Sequence, residues 1–209
     1  MAELKIGRTV LGSCATNCYF LYESGKEDVL VIDPADRGEF LYEKLTEQGF
    51  KVAAILLTHG HFDHILGAEK LRALSGAKIY ALSEEFALCK DSVNNLSGWS
   101  GAPYALTPDE ALHDGQKLTI AGIPFQVLAT PGHTSGSCCF YFEEAGFLVC
   151  GDTIFEESVG RTDFPTGSSS TLIQSVNEKI FTLPDSVKLY PGHGGSTTIE
   201  HEKKYNPFF

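Results

Sequence analysis

Short runs of apolar residues separated by polar turns predict most of the secondary structure of this chain. Runs of four to six residues bounded by Gly, Asp, Asn or Lys are typical of buried strands. The pattern predicts strands at Cys18–Tyr22, Val29–Ile32, Val52–Leu57, Lys78–Leu82, Lys117–Ile120, Phe125–Ala129, Cys138–Phe142, Phe147–Cys150 and Val187–Tyr190.

Three pairs of these strands are separated by short turns and are therefore predicted to form hairpins. The polar SGKED segment separates the first two strands, and Gly122 lies between Lys117–Ile120 and Phe125–Ala129. The turn Glu143–Gly146 separates the third pair. Antiparallel pairing is expected in each case.

Apolar residues at helical spacing predict helices between some of the strands. These helices are expected at Phe40–Gln48, Leu66–Leu74, Glu84–Lys90 and from Thr171 to about Phe181. Gly49 and Gly76 follow the first two and are expected to end them. Thr171 and Gln174 have the spacing of a capping box, which places the start of the last helix at Thr171.

Residues 91–112 have little periodicity and are rich in Asn, Ser, Gly and Pro, so we expect a surface loop there, either a lid or a simple connection. No linker or low-complexity segment divides the chain, and a single domain over residues 1–209 is expected. Hairpins in both halves, with helices between some strands, favour an α/β sandwich over a singly wound parallel sheet.

Composition and charge argue against several classes of protein. The chain has 209 residues, of which 43% are apolar and 21% charged, as in ordinary globular proteins. Its 16 basic and 27 acidic side chains give a net charge of −11, which argues against a nucleic-acid partner. The apolar runs are too short to cross a bilayer, and MAELKIGRTV lacks the features of a signal peptide. We therefore expect a cytoplasmic protein with no nucleic-acid or membrane partner.

The cysteines show no paired spacing that would suggest a disulfide framework or a closed zinc site. Adjacent Cys138 and Cys139 should point to opposite faces of one strand. Reduced, mostly buried thiols are expected at Cys14, Cys18, Cys89, Cys138, Cys139 and Cys150.

The segment Thr58-His59-Gly60-His61-Phe62-Asp63-His64 concentrates four metal-binding side chains directly after an apolar strand. On a helix His59 and His61 would diverge, whereas in a loop that leaves a strand both imidazoles can face one point. Imidazole and carboxylate suit zinc, iron or manganese, and the lack of thiolates in the segment argues against a closed structural zinc site.

Three further candidate ligands also follow apolar strands. His133 comes after Thr130-Pro131-Gly132, Asp152 after one glycine, and His193 after Pro191-Gly192. If the strands run together in a sandwich, these side chains meet the first segment at one edge of the sheets. By contrast, His113 and His201 lie in polar surroundings and are expected to be ordinary surface histidines.

These seven side chains are enough for two metal ions that share a carboxylate, with positions left open for water, as in catalytic sites. The expected partition assigns one ion to His59, His61 and His133, the other to Asp63, His64 and His193, and Asp152 to a bridging position.

The motifs THGHFDH, TPGHTSGS, CGDTIF and YPGHG resemble, in this order, those of the metallo-β-lactamase fold hydrolases. The resemblance extends from Asn17 to the Asn206-Pro207-Phe208 tail. It implies a four-layer αβ/βα sandwich with a binuclear metal site at one edge, and the family's seven ligand positions are all present. Asp33, in VIDPAD, matches an acidic residue that supports the metal-binding loop without binding metal.

The segment Gly160-Arg161-Thr162-Asp163-Phe164-Pro165 resembles the short type II glyoxalase-like branch, whose members split hydroxyacylglutathione thioesters. The chain ends at Phe209, without the basic C-terminal helical extension of longer glyoxalases. The resemblance therefore implies hydrolysis of a small-molecule thioester substrate and leaves the thiol open. Arg161 could contact a substrate anion or form an ion pair with Asp163.

The expected mechanism uses two divalent cations, zinc in the first instance with iron or manganese as alternatives. They would lower the pKa of a water so that hydroxide attacks the substrate carbonyl, with Asp63 orienting the nucleophile. The alternatives are a persulfide dioxygenase with one iron, a lactone or ester hydrolase, and a metal-stabilised binding module. A secreted β-lactamase or an RNA-processing nuclease fits less well, and the oligomeric state is left open.

Overall fold

Two six-stranded β-sheets form the centre of the protein, in a computed structural model that describes residues 3–209. The first sheet contains, in spatial order, β1 (Leu4–Leu11), β2 (Thr16–Glu23), β3 (Asp28–Ile32), β4 (Lys51–Leu56), β5 (Lys78–Leu82) and β6 (Glu110–Leu112). Strands β1 to β3 pair antiparallel, and β3 to β6 pair parallel.

The second sheet is antiparallel except for one parallel pair. It contains β7 (Lys117–Ile120), β8 (Ile123–Ala129), β9 (Cys138–Phe142) and β10 (Phe147–Gly151), followed in space by β13 (Lys188–Pro191) and β14 (Thr197–Thr198). The short strands β11 (Ile154–Phe155) and β12 (Ser158–Val159) form a separate ribbon. Strands β10 and β13 are the parallel pair.

Helices cover the outer face of each sheet. They are α1 (Gly38–Glu47), α2 (Phe62–Ile65), α3 (Ala68–Ser75), α4 (Phe86–Cys89), α5 (Ser169–Ser175), which continues as a π-helical turn at Val176–Ile180, and α6 (Ile199–Tyr205). Helix α1 forms because Leu41 and Leu45 bury one face, and Gly76 ends α3 in the left-handed conformation at φ 74°. Within residues 3–209, every helix is too short or too polar to span a lipid bilayer.

Three apolar layers hold these elements together. Side chains such as Leu30 and Phe140 meet between the two sheets. Leu41 and Ile55 pack between the first sheet and its helices, and Val176 packs against the second sheet. The predicted αβ/βα sandwich of four layers is therefore confirmed.

All nine predicted strands and all three predicted hairpins are confirmed. Cys138 packs between the sheets and Cys139 packs on the helical side, as expected for neighbours on a strand. All six cysteines are free thiols, and all except Cys14 are buried.

Several boundaries were predicted wrongly. Ser168, not Thr171, caps α5, because its Oγ accepts a hydrogen bond from the backbone N–H of Thr171 at 3.4 Å. The segment after His61 is not all loop, since Phe62–Ile65 forms a one-turn helix. The helix predicted at Leu66–Leu74 therefore begins only at Ala68.

Other elements were not predicted at all. Strand β1 alternates polar and apolar residues and is only partly buried, so it lacks the continuous apolar run of a buried strand. Strand β6 lies at the end of the segment predicted as a loop over residues 91–112. Strand β14 and helix α6 follow the last predicted strand.

Candidate metal centre

The seven predicted ligands come together where strands of both sheets end. Strand β4 leads to the segment that starts at His59, and β8 leads to His133. Strand β10 ends directly before Asp152, and β13 ends two residues before His193. Because parallel β10 and β13 end at the same edge, Asp152 and His193 lie side by side.

Asp152 lies between histidines from both halves of the expected partition. Its Oδ2 is 3.5 Å from Nε2 of His133 and 3.4 Å from Nε2 of His193. Its Oδ1 is 3.4 Å from Nε2 of His64. One carboxylate therefore reaches both sets of histidines, as a bridging ligand would.

The potential ligand atoms form three groups, and within each group these atoms all lie within 4.8 Å of one another. The groups are His59 with His61 and His133, His59 with His64 and Asp152, and Asp63 with His64 and His193. The first and third groups have the membership expected for the two ions. The second shares His59 with the first and His64 with the third, and it adds Asp152.

The residues present fit divalent cations. Within residues 3–209, the buried atoms without a hydrogen-bond partner include Nε2 of His59 and His64 and Oδ1 of Asp152. Buried polar atoms normally have partners, so these atoms, which lie among the candidate ligands, are suited to bind a cation. His61 turns its Nδ1 towards the same cluster, 2.9 Å from Nε2 of His133. Donor atoms around a tetrahedral ion with bonds of about 2.0–2.1 Å stand about 3.3 Å apart, close to the separations at Asp152.

Asp33 fixes the orientation of two of the histidines. Its Oδ2 accepts a hydrogen bond from Nδ1 of His64 at 2.9 Å, and the Thr58 hydroxyl donates to the same oxygen at 2.6 Å. The Thr58 hydroxyl also lies 3.2 Å from Nδ1 of His59, from which it can accept a hydrogen bond. Both imidazoles then carry their proton on Nδ1 and present Nε2 to the centre.

Other contacts hold the remaining side chains. His133 donates a hydrogen bond from Nδ1 to the carbonyl of Arg161 at 2.7 Å, which leaves its Nε2 facing Asp152. The hydroxyl of Thr16 donates to Oδ2 of Asp63 at 2.7 Å. Sequence reasoning missed Thr16, because its partner Asp63 lies 47 residues further along the chain.

Two further residues of β2 hold the loop that carries His193. The Asn17 side chain donates to the carbonyl of Pro191 at 2.8 Å and to that of Gly194 at 3.1 Å. The Tyr19 hydroxyl donates to the Pro191 carbonyl at 2.7 Å. Strand β2 of the first sheet therefore fixes a ligand loop of the second sheet.

Gly192 shows why a glycine precedes His193. A Cβ at this position would lie 2.1 Å from Oδ1 of Asp152 and 2.7 Å from Cε1 of His64. Both separations are far below van der Waals contact. A side chain here would displace two of the seven candidate ligands.

Burial favours neutral imidazoles in the first group. It lowers the pKa of His59 well below its usual range, with the nearby histidines adding to the effect. The pKa of His61 falls to about 3 for the same reasons, and burial also lowers that of His133. Neutral imidazole is the form that binds metal.

In the group of Asp63, His64 and His193, carboxylates instead favour protonated imidazoles. Burial opposes the charge of His193, but hydrogen bonds to Asp152 and Asp63 raise its pKa to about 9. Burial likewise opposes the charge of His64, and the same carboxylates together with Asp33 raise its pKa well above the usual range. Burial raises the pKa of Asp63, yet His64 and the His193 hydrogen bond bring it to about 2. In the metal-free chain, protons on His64 and His193 therefore supply the positive charge that the ionised carboxylates attract.

Glu85 is a buried carboxyl group behind the metal-binding loop that sequence reasoning did not identify. Its Oε1 accepts a hydrogen bond from the backbone N–H of Gly60 at 2.8 Å, between His59 and His61. Burial raises the pKa of Glu85, and the Gly60 hydrogen bond opposes this effect.

Arg161 forms an ion pair with Asp163 through two hydrogen bonds of 3.0 and 2.7 Å. Of the two roles expected for Arg161, the structure therefore shows the ion pair. His113 is exposed beside Ser83, and His201 lies 3.1 Å from Glu157. Neither belongs to the groups of potential metal ligands within the described residues.

The comparisons with known proteins agree with this site. The model of the metallo-beta-lactamase superfamily matches residues 11–193, which include all seven candidate ligands. A probable metallo-hydrolase of Streptococcus pyogenes serotype M6 is 36% identical over 99% of this chain and 90% of its own length. The hydroxyacylglutathione hydrolase GloC of Haemophilus influenzae is 35% identical over 92% of each chain.

Two solved structures share the fold over nearly their whole length. The BLEG-1 B3 metallo-beta-lactamase is 34% identical, with a TM-score of 0.93 over 98% of this chain and 99% of its own. TTHA1623 in a di-iron-bound form is 31% identical, with a TM-score of 0.87 over 97% of this chain and 100% of its own. With its fold, its seven converging side chains and these relatives, the chain belongs to the metallo-beta-lactamase superfamily.

Proposed function

We propose that this metallo-hydrolase cleaves thioesters of the hydroxyacylglutathione type at the candidate metal centre. The choice of a thioester as substrate rests on the 35% identity, over 92% of both chains, to a protein named hydroxyacylglutathione hydrolase. Water adds to the carbonyl carbon, the C–S bond breaks, and the products are a carboxylate and a thiol.

Our proposal assigns the two ions to the partition given above, with Asp152 shared and Asp33 outside the ligand set. Two bound cations, for which we propose zinc, would lower the pKa of a water and polarise the substrate carbonyl. The separations of 3.4 and 3.5 Å from Asp152 to the histidines on either side support this assignment. Iron is the main alternative, because TTHA1623 has a di-iron-bound form.

We assign to Asp63 the role of orienting the attacking water. Its pKa near 2 keeps it ionised at neutral pH and makes it a weak base. It is therefore suited to accept a hydrogen bond from the attacking water and orient it. The Thr16 hydroxyl, 2.7 Å away, would hold this carboxylate in place.

The leaving group favours a thioester over an amide. A thiol has a pKa of about 8.5, so it departs as the thiolate without a strong proton donor. Tyr19, whose hydroxyl lies near the His193 loop, already donates to Pro191, and burial raises its pKa. It is therefore a poor general acid. An amine leaving group depends on a general acid more strongly than a thiolate does.

The proposal is tested by thiol release from S-lactoylglutathione, before and after removal of metal with a chelator. We expect turnover that is lost on chelation and restored by zinc or iron. Asp63→Asn should reduce it by about 10²–10⁴-fold. No thiol release by protein that carries two ions per chain would contradict the proposal.

β-Lactam hydrolysis is a second candidate, favoured by the structural similarity to BLEG-1. Hydrolysis of a chromogenic cephalosporin with a higher kcat/KM than S-lactoylglutathione would favour this activity. Oxygen uptake with a glutathione persulfide, by protein holding one iron per chain, would instead identify a dioxygenase.

A further inference from the structure

We propose that Trp99 and Phe164 form one wall of the substrate site and bind an apolar or aromatic substituent of the thioester. This inference rests on the proposed function, because it specifies which thioesters the site prefers. Trp99 is 68% exposed, which is high for a side chain of this size. Its ring centre lies 6.4 Å from that of Phe164, which in turn lies 5.8 Å from that of His61. An exposed aromatic surface therefore extends from a candidate metal ligand to solvent.

The loop that carries Trp99 is attached to the metal-binding segment. The backbone N–H of Phe62, the first residue of α2, donates a hydrogen bond to the carbonyl of Asn95 at 2.9 Å. The buried side chain of Asn95 donates to the carbonyl of Tyr104 at 2.8 Å and so holds the two ends of the loop together. Trp99 is thus positioned relative to the helix that carries Asp63 and His64.

The charge around this wall favours an apolar substituent over an anion. The Arg161 guanidinium lies 4.1 Å from the centre of the Phe164 ring, and both of its hydrogen bonds to Asp163 are made. The positive charge beside the ring is therefore neutralised by Asp163. The surface offered to the substrate includes the aromatic side chains of Trp99 and Phe164, which can remove apolar area from water.

The substituent could belong to the acyl group or to the thiol, because both extend from the carbonyl carbon at the metal centre. Two series of thioesters distinguish them. One varies the acyl group from acetyl to phenylacetyl on glutathione, and the other varies the thiol from mercaptoethanol to benzyl mercaptan with a lactoyl group. The series in which KM falls as the apolar group grows identifies the part that contacts the wall.

Trp99 is the single tryptophan of the chain, so its fluorescence reports directly on the proposed contact. The metal-loaded protein is titrated with two non-hydrolysable thioethers, S-benzylglutathione and acetonyl benzyl sulfide. The first places an aromatic group where the acyl group would lie, and the second places it where the thiol would lie. We expect saturable quenching or a blue shift with at least one of them.

Variants measured by calorimetry and inhibition complete the test. Trp99→Ala and Phe164→Ala should each raise the Kd of the thioether that binds by about 10-fold, whereas Trp99→Phe should largely keep the affinity. Tyr205→Ala removes another exposed aromatic side chain, on α6, and should leave the Kd unchanged.

The inference is overturned if neither thioether changes the fluorescence, or if Trp99→Ala and Phe164→Ala bind both thioethers as the wild type does. Equal KM values along both series would also overturn it. If instead the proposed function is wrong, no member of either thioester series releases thiol, whereas the fluorescence titration still saturates.

Discussion

Nδ1 of His64 lies 2.9 Å from Oδ2 of Asp33, and this contact connects the first sheet to the metal centre. The same carboxylate accepts hydrogen bonds from the N–H and hydroxyl of Thr58, the residue before His59. Asp33 follows β3 and has a φ of 50°, a left-handed conformation that Asp tolerates better than most residues. A residue outside the proposed ligand set thus orients one histidine from each proposed metal position.

Replacing Asp33 by Asn should therefore weaken metal binding without removing a ligand. The amide keeps the size of the side chain but has one acceptor oxygen in place of two. We expect the metal affinity to fall by about 10–100-fold. Competition with a chromogenic chelator measures the loss, and Asp28→Asn, at the exposed start of β3, is the control. Equal affinities in the two variants would show that Asp33 does not orient the histidines.

Gly192→Ala should damage the centre through steric contact alone. Its Cβ would meet Asp152 and His64 at 2.1 and 2.7 Å, and neither can move without leaving its position in the centre. We expect loss of at least one metal ion per chain and a large drop in turnover.

Gly195→Ala is the matched control in the same loop, because the nearest atom to its Cβ is the end of the Glu156 side chain at 3.3 Å. It should keep both ions. A fully metal-loaded, active Gly192→Ala variant would mean that the loop does not approach Asp152 as closely as described.

Glu85→Ala should destabilise the metal-binding loop, since it leaves the buried N–H of Gly60 without an acceptor. The expected cost is about 1–3 kcal/mol of unfolding free energy, with weaker metal binding. Glu85→Gln retains an acceptor and should lose less. Urea unfolding measures the effect, with Glu84→Ala, at an exposed neighbouring position, as the control. Identical unfolding of the Ala and Gln variants would argue against the Gly60 contact.

The stability of the metal-free protein should fall as the pH rises from neutral to alkaline. Burial opposes protonation of His193, but Asp152 and Asp63 raise its pKa to about 9, above the ordinary value of about 6.5. The stabilisation by its charged form is complete below about pH 6.5 and is lost as the pH rises through about 9. Urea unfolding at pH 6 and pH 9.5 measures it.

His193→Gln should make this decrease smaller, because it removes one of the groups with a raised pKa. Zinc binding must displace the same proton, so addition of zinc at pH 7.5 should release protons into a weakly buffered solution. A decrease of the same size in wild type and His193→Gln would contradict the assignment.

The sequence predicts most of the two sheets because their strands are continuous apolar runs, such as Phe147–Cys150. It does not predict β1, whose burial is partial, because a half-exposed strand has no strong apolar signal. The start of α5 was misplaced because two hydroxyl residues, Ser168 and Thr171, compete as caps. Which of them accepts the hydrogen bond depends on the path of the preceding loop.

The candidate ligands were predictable because each is a histidine or aspartate shortly after an apolar strand, with a glycine nearby. The supporting residues Thr16, Asn17 and Glu85 were not, because their roles depend on partners far away in the sequence. Thr16 binds Asp63, and Asn17 binds the carbonyl of Pro191. The Thr16 contact joins the start of one strand of the first sheet to the segment after another, and the Asn17 contact forms only once the two sheets have packed.

The most direct test of the proposed centre is the metal content per chain of the wild type, Asp152→Ala and His64→Ala, measured by elemental analysis after loading with zinc or iron. We predict two ions in the wild type, with a larger loss of metal and turnover in Asp152→Ala than in His64→Ala, because Asp152 approaches histidines of both groups. One ion per wild-type chain, or equal and small losses in the two variants, would contradict the bridged two-ion site.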